Sequence, residues 1–294
     1  MSDYYWDDKI DYLRNTRSLY YNDDYLEFLV KTVWGINQPV RIIDFGCGYG
    51  YLGLKLLPLL PEGSTYTGVD KGSELIRTAR NIFKHQNFES EFIEADIEEV
   101  VVTQDYDIAM CHAFLLHMTD SRAILQKMID SVQNGGRIIC FEPHWIANMS
   151  NYYMDGIEQS RIVRLGLLQK LYEENARRDG KDGNIGIQLP IMLSQMGLKN
   201  VECRVSDKVN FLDQNMDLQA KDKLYHSLLE EGLGQMPSDR NEFVERLKAI
   251  GLTEAEAMSQ YDAELLFSER FVANNWLAYA PNMKITYGTV SSLI

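Results

Sequence analysis

The chain has 294 residues, of which 45% are hydrophobic and 24% charged, as is ordinary for a globular protein of one elaborated domain or two smaller ones. Its formal net charge of −14, without a basic stripe, argues against nucleic acid as a partner. Four single cysteines without CxxC spacing predict neither a disulfide framework nor a metal site. Together with a polar, acidic N-terminus and no run of 18 apolar residues, they predict a cytoplasmic protein without a membrane span.

The first elements along the chain are helical. Apolar residues recur at helical spacing before residue 34, which predicts one or two leading helices. From residue 40, short apolar runs alternate with helical patterns. The five runs predict strands at 40–45, 65–69, 91–93, 106–111 and 136–141. Strands that alternate with helices through short loops are typical of a parallel, doubly wound sheet.

The helices between these strands are predicted at 51–60, at 74–85 with Ser73 as the N-cap, and at 122–132. Residues 145–183 predict a charged helical insertion. Beyond it we expect a short helix at 189–196, a strand at 201–211, helices within 217–279 and a terminal strand at 283–290.

These elements predict four regions within one folded unit. They are an N-terminal helical lid at 1–38, a cofactor-binding core at 39–144, a helical cap insertion at 145–185, and a region at 186–294 that completes the sheet and adds further helical cap. The insertions are expected to surround one sheet.

A glycine-rich turn directly follows the first predicted strand. The strand ends at Asp44-Phe45, and Gly46, Gly48 and Gly50 then alternate before a helix opens. Glycine permits positive φ and lets a ligand approach the backbone. The opening helix offers free N–H groups to a carboxylate or phosphate. The turn predicts a ligand site, although a purely structural turn has the same pattern.

Acidic residues end the next two strands. Asp70 lies 20 positions after Gly50, where a carboxylate can accept hydrogen bonds from both hydroxyls of a ribose. Asp96 follows the third strand, where its carboxylate can accept a hydrogen bond from the exocyclic amine of adenine. Each alone is also typical of a helix cap or a surface carboxylate. Together with the turn they place three strand ends at one crevice.

The motif and its spacing resemble the class I S-adenosylmethionine-dependent methyltransferases of the small-molecule type. Their first motif reads acidic residue, then G-x-G-x-G, whereas a dinucleotide-binding turn reads G-x-G-x-x-G. The resemblance continues at 106–112 (fourth strand), 132–143 (turn and fifth strand) and 186–201 (late helix, glycine and antiparallel strand). It implies a Rossmann-like α/β fold: a doubly wound, mostly parallel seven-stranded sheet with an antiparallel C-terminal strand and helical cap insertions.

The resemblance also implies S-adenosylmethionine as the cofactor and a role for each matched position. Gly46, Gly48 and Gly50 would lie under the methionine part, and Asp44 and Cys47 of the same turn are further cofactor-binding candidates. Asp70 would hold the ribose, with Lys71 beside it. Asp96 and Ile97 would meet adenine, and the stretch around Cys111 and His112 would flank the sulfonium.

Histidine is the usual general base when a hydroxyl is the methyl acceptor. His112, His117 and His144 follow the fourth and fifth strands and are the catalytic candidates, although His117 lies in an apolar run typical of a structural histidine. Tyr20 and Tyr21 are candidates for a lid over the substrate, or for interfacial core.

The acceptor class is inferred from what is missing. The chain lacks N-P-P-[YF] after the fourth strand, which disfavours methylation of planar amines in nucleic acids and leaves a small-molecule acceptor under a helical cap. A protein side chain as acceptor and a non-catalytic S-adenosylmethionine-binding protein remain alternatives. The glycine spacing argues against a nicotinamide-dependent reductase. The methylated atom and the oligomeric state are left open.

Overall fold

The computed structural model describes residues 4–291 and contains ten strands within them. The strands lie in two sheets. Their bounds are β1 Arg41–Phe45, β2 Thr65–Asp70, β3 Glu89–Glu94, β4 Tyr106–His112, β5 Val132–Pro143, β6 Tyr152–Met154, β7 Lys199–Val205, β8 Asn210–Leu212, β9 Leu277–Tyr279 and β10 Met283–Thr289.

The α-helices of the same range surround these sheets. They are α1 Ile10–Thr16, α2 Asp23–Phe28, α3 Tyr51–Leu56, α4 Ser73–Phe83, α5 Ser121–Ser131, α6 Trp145–Asn148, α7 Gln159–Ile162, α8 Leu165–Asp179, α9 Ile185–Gln195, α10 Leu218–Glu230, α11 Arg240–Ala249 and α12 Glu254–Arg270. Short 3₁₀ segments lie at Tyr5–Lys9, Arg17–Leu19, Leu57–Leu59 and Leu115–His117, and a π-helical turn at Leu29–Val33. Between residues 4 and 291, no helix is both long enough and apolar enough to cross a membrane.

The large sheet has seven strands in the order β3-β2-β1-β4-β5-β10-β7. β1 to β5 are parallel, and β10 is antiparallel to both of its neighbours. The predicted α/β fold class is confirmed. β7 therefore points the same way as β5. The resemblance had suggested that the strand after Gly197, which is β7, is the antiparallel one, but the antiparallel strand is β10.

The apolar strands of this sheet are buried because helices cover both of its faces. Neighbouring residues of one strand point to opposite faces, so Ile42 packs in one core cluster and Ile43 in the other. The same alternation separates Ala109 from Met110 on β4. The C-terminal strand ends, which carry the predicted site residues, are thus held between two packed layers.

A second, antiparallel sheet of order β6-β9-β8 was missed in the sequence, because strands of three residues are too short to show an alternating pattern. The predicted strand at 201–211 is wrong as one element. It divides into β7 of the large sheet and β8 of the small one. Asp207 lies between them and accepts hydrogen bonds from the backbone N–H and side-chain amide of Asn22, so this connection is bonded to the residue before α2.

Two predicted helix details also need correction. The helix predicted to run to residue 60 ends at Leu56 and continues as a 3₁₀ turn, because Pro58 has no N–H to donate to the helical ladder. Ser73 is not the N-cap of α4 but its first residue.

The cap of α4 comes from the N-terminal segment. Asp7 Oδ1 accepts the N–H groups of Glu74 and Leu75, each at 3.1 Å, and its Oδ2 lies 3.4 Å from Ser73 Oγ. The Asp7 residue is only 6% exposed. A buried carboxylate at a helix N-terminus accepts hydrogen bonds from free N–H groups and interacts favourably with the positive end of the helix dipole. The contact fastens the leading segment to the helix that follows Asp70.

We expect Asp7→Ala to lower the free energy of unfolding by about 1 kcal/mol, the usual contribution of an N-cap carboxylate. Hydrogen exchange at the amides of Glu74 and Leu75 should accelerate, because they lose their acceptor. Urea denaturation and amide exchange measure the two effects. Asp8→Ala, at an exposed neighbouring position, is the control. Unchanged exchange at both amides would contradict the assignment of this cap.

Candidate functional site

A crevice with two connected lobes lies at the C-terminal ends of the parallel strands. The first lobe holds about 70 Å³ and the second about 220 Å³ of free space. Both lobes are lined by Tyr4, Gly46, Asp70, Phe114, His117 and Met118. Because these residues are shared, the lobes form one continuous site.

The three glycines of the turn have different physical reasons to be glycine. All have positive φ, at 71° for Gly46, 55° for Gly48 and 86° for Gly50. A Cβ on Gly46 would come within 2.2 Å of the Phe114 ring, and one on Gly50 within 2.6 Å of Phe83. Gly48 faces the first lobe, where the nearest atom to such a Cβ is 4.0 Å away. Gly46 and Gly48 line the crevice, whereas Gly50 lies beneath it.

Asp44 lies on the floor of the first lobe and is 1% exposed. Its Oδ2 accepts a hydrogen bond of 2.7 Å from the Tyr66 hydroxyl, but its Oδ1 has no partner in the described part of the chain. Burial raises the pKa of this carboxyl to about 7. A half-satisfied buried carboxylate at a cavity wall is suited to a ligand that donates hydrogen bonds.

Asp70 lines both lobes. Its two oxygens accept the N–H groups of Gly48 and Gly72, each at 2.9 Å, so the side chain connects the glycine turn with the start of α4. Burial raises its pKa, and these two hydrogen bonds act in the opposite direction. Each carboxylate oxygen accepts more than one donor, which leaves capacity for two ligand hydroxyls.

The predicted adenine and ribose residues lie together in the second lobe. Lys71, Asp96 and Ile97 line it, and the Lys71 Nζ lies 3.6 Å from Asp96 Oδ2. Asp96 Oδ1 accepts the N–H of Glu98 at 2.9 Å, which fixes its direction. Ile97, 4% exposed, supplies an apolar wall.

His112 lines the first lobe within a set of aromatic rings. The ring centroids of Tyr20, Tyr21, Tyr51 and Phe141 lie between 5.5 and 6.4 Å from its own. Burial lowers its pKa well below the usual value, so the imidazole is neutral at pH 7. The Tyr21 hydroxyl lies 3.3 Å from His112 Nε2.

Four other predicted site residues do not line either lobe. Cys111 is fully buried in the sheet. Tyr20 and Tyr21, 2% and 4% exposed, pack behind His112, and the Tyr20 hydroxyl donates to Glu231. His144 directly follows β5, and its backbone N–H donates to the carbonyl of Asn282.

His117 lines both lobes. Its ring centroid lies 5.0 Å from that of Trp6, and burial lowers its pKa to about 4. Two of the three candidate histidines, His112 and His117, are therefore at the crevice and neutral at pH 7.

An N-terminal lid was predicted at 1–38, but the residues of this segment that line the crevice were not identified from the sequence. Tyr4 lines both lobes, Trp6 and Arg17 the first, and Lys71 Nζ lies 5.1 Å from the Tyr4 ring centroid. The Arg17 guanidinium forms no ion pair with any acid in residues 4–291. No motif marks these residues, and an aromatic, acidic N-terminus is the only signal available.

Glu142, at the end of β5, positions the loop that carries His117. This fully buried carboxylate accepts the N–H groups of Phe114, Leu115 and Leu116 at 2.9, 2.8 and 3.4 Å. Ala113, just before them, has a φ of 47°, a strained value for alanine. Three converging hydrogen bonds compensate for this strain and hold the end of the crevice wall.

Residues 36–179 match the family model described as "Methyltransferase domain". Among curated proteins, a ubiquinone biosynthesis O-methyltransferase of Salmonella arizonae is 30% identical over 100 residues, which are 33% of this chain and 40% of that protein. The corresponding enzyme of Salmonella typhimurium is 29% identical over the same shares. The match thus spans about two fifths of these relatives.

Solved structures share the fold. Phosphoethanolamine N-methyltransferase 2 of Haemonchus contortus, in complex with S-adenosyl-L-methionine, has a TM-score of 0.52 at 13% identity and covers 99% of this chain and 60% of that one. The [4+2]-cyclase SpnF has a TM-score of 0.51 at 13% identity, over 98% and 94%. At such identity the likeness establishes the fold alone.

We expect Glu142→Gln to lower the free energy of unfolding by about 1–3 kcal/mol, because the amide NH₂ would face backbone N–H groups and leave a buried donor unsatisfied. Urea denaturation measures the loss. Glu89→Gln removes the same charge at an exposed position of β3 and should change little. Equal stability of the two variants would show that the three hydrogen bonds do not hold the loop.

Proposed function

We propose that this member of the class I S-adenosylmethionine-dependent methyltransferases transfers the methyl group of its cofactor to a small-molecule acceptor. The observation that supports this most strongly is the line of carboxylates along one crevice. Asp44, Asp70 and Asp96 end or follow three adjacent strands and line its lobes from one end to the other.

The residues present fit S-adenosylmethionine. The unpartnered Oδ1 of Asp44 is suited to the ammonium of the methionine part, and the Arg17 guanidinium in the same lobe to its carboxylate. Asp70 would hold the ribose hydroxyls, and Asp96 and Ile97 the adenine. Each polar group of the cofactor thus has a complementary group in the crevice.

The electrostatics of the first lobe favour a cationic sulfur. S-adenosylmethionine, when bound, supplies a methyl group on a positively charged sulfonium. Asp44 and the aromatic rings of Tyr4 and Trp6 provide negative charge and ring faces at this lobe. The protein's remaining task is to orient the acceptor in line with the methyl group.

Proton transfer is assigned to His112 when the acceptor is a hydroxyl. Its imidazole is neutral, lies at the first lobe and is oriented by the hydroxyl of Tyr21. A neutral imidazole can accept the acceptor's proton as the new bond forms. His117 is the second candidate at the crevice, whereas the position of His144 favours it least.

A small acceptor is supported by the shape of the first lobe. Trp6, Leu13 and Arg17 of the N-terminal segment line it together with the strand ends, and this narrow space favours a small molecule over a protein chain. The activity named for the Salmonella relatives, O-methylation in ubiquinone biosynthesis, also concerns a small molecule.

The cofactor assignment is tested by calorimetry with S-adenosylhomocysteine and NADH. We expect binding of the first and none of the second.

Asp70→Ala should weaken the binding of S-adenosylhomocysteine on the order of a hundredfold or more, because two charge-assisted hydrogen bonds contribute about 1.5–3 kcal/mol each. Asp105→Ala, before β4 at the opposite end of the sheet, is the control. Binding of NADH alone would overturn the proposal. Formation of S-adenosylhomocysteine from S-adenosylmethionine in an acceptor screen separates a catalyst from a non-catalytic binder.

We expect the affinity for S-adenosylhomocysteine to rise with pH up to about 7 and then to level off. The pKa of Asp44 is about 7 in the free protein, and an ammonium beside it favours the ionised form. Below pH 7 binding must therefore release a proton, which weakens affinity by up to about tenfold per pH unit. Calorimetry in two buffers of different ionisation enthalpy measures that proton. In Asp44→Asn most of the slope should disappear, and a slope equal to that of the native protein would exclude Asp44 as its source.

A further inference from the structure

A second cavity lies within the cap and shares no lining residue with the crevice. It holds about 300 Å³ of free space, within the range of small-molecule sites. Its walls come from the segment around β6, from α7 and α8, from the loop between α10 and α11, and from α11 and α12. We call it the cap cavity. Nothing in the proposed methyl transfer uses it.

The apolar wall of the cap cavity contains a pair of stacked rings. The centroids of Tyr152 and Phe267 lie 4.8 Å apart with an interplanar angle of 13°. Leu168 and Phe243, both buried, extend this wall. Such a surface accommodates an aliphatic or aromatic body, and ring faces also attract cations.

The polar wall holds an acid without a matching cation. Glu264 lines the cavity, and no Lys, Arg or His nitrogen of residues 4–291 lies within 4.0 Å of its carboxylate. Its Oε1 accepts a hydrogen bond of 2.9 Å from Gln260 Nε2. Gln260 is 5% exposed, and its own Oε1 has no partner among the described residues. Gln260 Oε1 and the second carboxylate oxygen of Glu264 therefore accept no hydrogen bond from the described residues.

A cation also lines the cavity, but it is exposed to solvent. Arg246 is exposed and lies with its guanidinium carbon 5.0 Å from the Phe243 ring centroid. Its charge lowers the pKa of Glu264 without a direct contact, but burial has the larger effect and raises that pKa. Solvent already stabilises the guanidinium, whereas a largely buried carboxylate gains most from a direct partner. The interior of the cavity thus favours a positive ligand over a negative one.

We propose that the cap cavity binds a small organic ammonium ion with an apolar body. Its N–H groups would donate to Glu264 and to the free oxygen of Gln260, and its body would lie against Tyr152 and Phe267. A primary or secondary ammonium satisfies both oxygens, whereas a quaternary ammonium has no N–H to donate. The site is independent of the crevice.

Methionine methyl groups report on both sites in the full-length protein. Met149 and Met236 line the cap cavity, and Met118 lines the crevice. With ¹³C-methyl methionine labelling, and assignment by Met→Leu variants, n-hexylammonium should shift Met149 and Met236 and leave Met118 in place. Its neutral analogue n-hexanol should bind at least about tenfold more weakly, because it lacks the charge-assisted contacts.

Glu264→Gln should weaken the binding of hexylammonium at least about tenfold, while the melting temperature of the protein stays unchanged. Glu269→Gln, which removes the same charge at an exposed position of α12, should leave the affinity unchanged. Equal binding of amine and alcohol, an unaffected Glu264→Gln variant, or no shift at Met149 would each overturn the proposal. A response of Met118 to S-adenosylhomocysteine tests the crevice separately, so failure at one site is distinguishable from failure at the other.

Discussion

The carboxylate of Asp70 holds the crevice together. It accepts the N–H of Gly48 from the glycine turn and the N–H of Gly72 from the turn that opens α4. Both turns present free backbone groups, and a buried acid between them satisfies one donor on each side. The same side chain lines both lobes. A single residue thus fixes the shape of the site and takes part in its surface.

Hydrogen-bond satisfaction separates the two most buried acids at the strand ends. Burial raises the pKa of both Asp44 and Glu142 to about 7. Glu142 meets three backbone N–H groups and has a structural role in the loop after β4. Asp44 meets one hydroxyl and keeps one oxygen without a partner at the cavity wall. Similar burial therefore supports opposite roles, and the number of donors around each group distinguishes them.

The features that were predicted correctly from the sequence are those that depend on local patterns. The five parallel strands, the glycine turn and Asp70 depend on periodicity, on positive φ and on the spacing from one strand end to the next, all of which are visible in a short window. The residues that the N-terminal segment contributes to the crevice were missed because their position depends on distant contacts: Asp7 caps residues 66–68 positions away. Whether a tyrosine faces the crevice or the core, as with Tyr4 and Tyr20, is decided by packing that no pattern records.

The connection between Asp7 and α4 has a thermodynamic consequence for the crevice. Tyr4 and Asp7 belong to one short segment, and Asp70 and Leu75 to the turn and helix on the other side. A molecule that touches Tyr4 and Asp70 together bridges the same two parts that the Asp7 carboxylate joins. The binding free energy of this molecule and the free energy of the Asp7 hydrogen bonds to α4 are therefore coupled, and the coupling is reciprocal. Occupancy of the crevice therefore stabilises the contact of residues 4–9 with α4, and loss of that contact shortens the residence of the occupant.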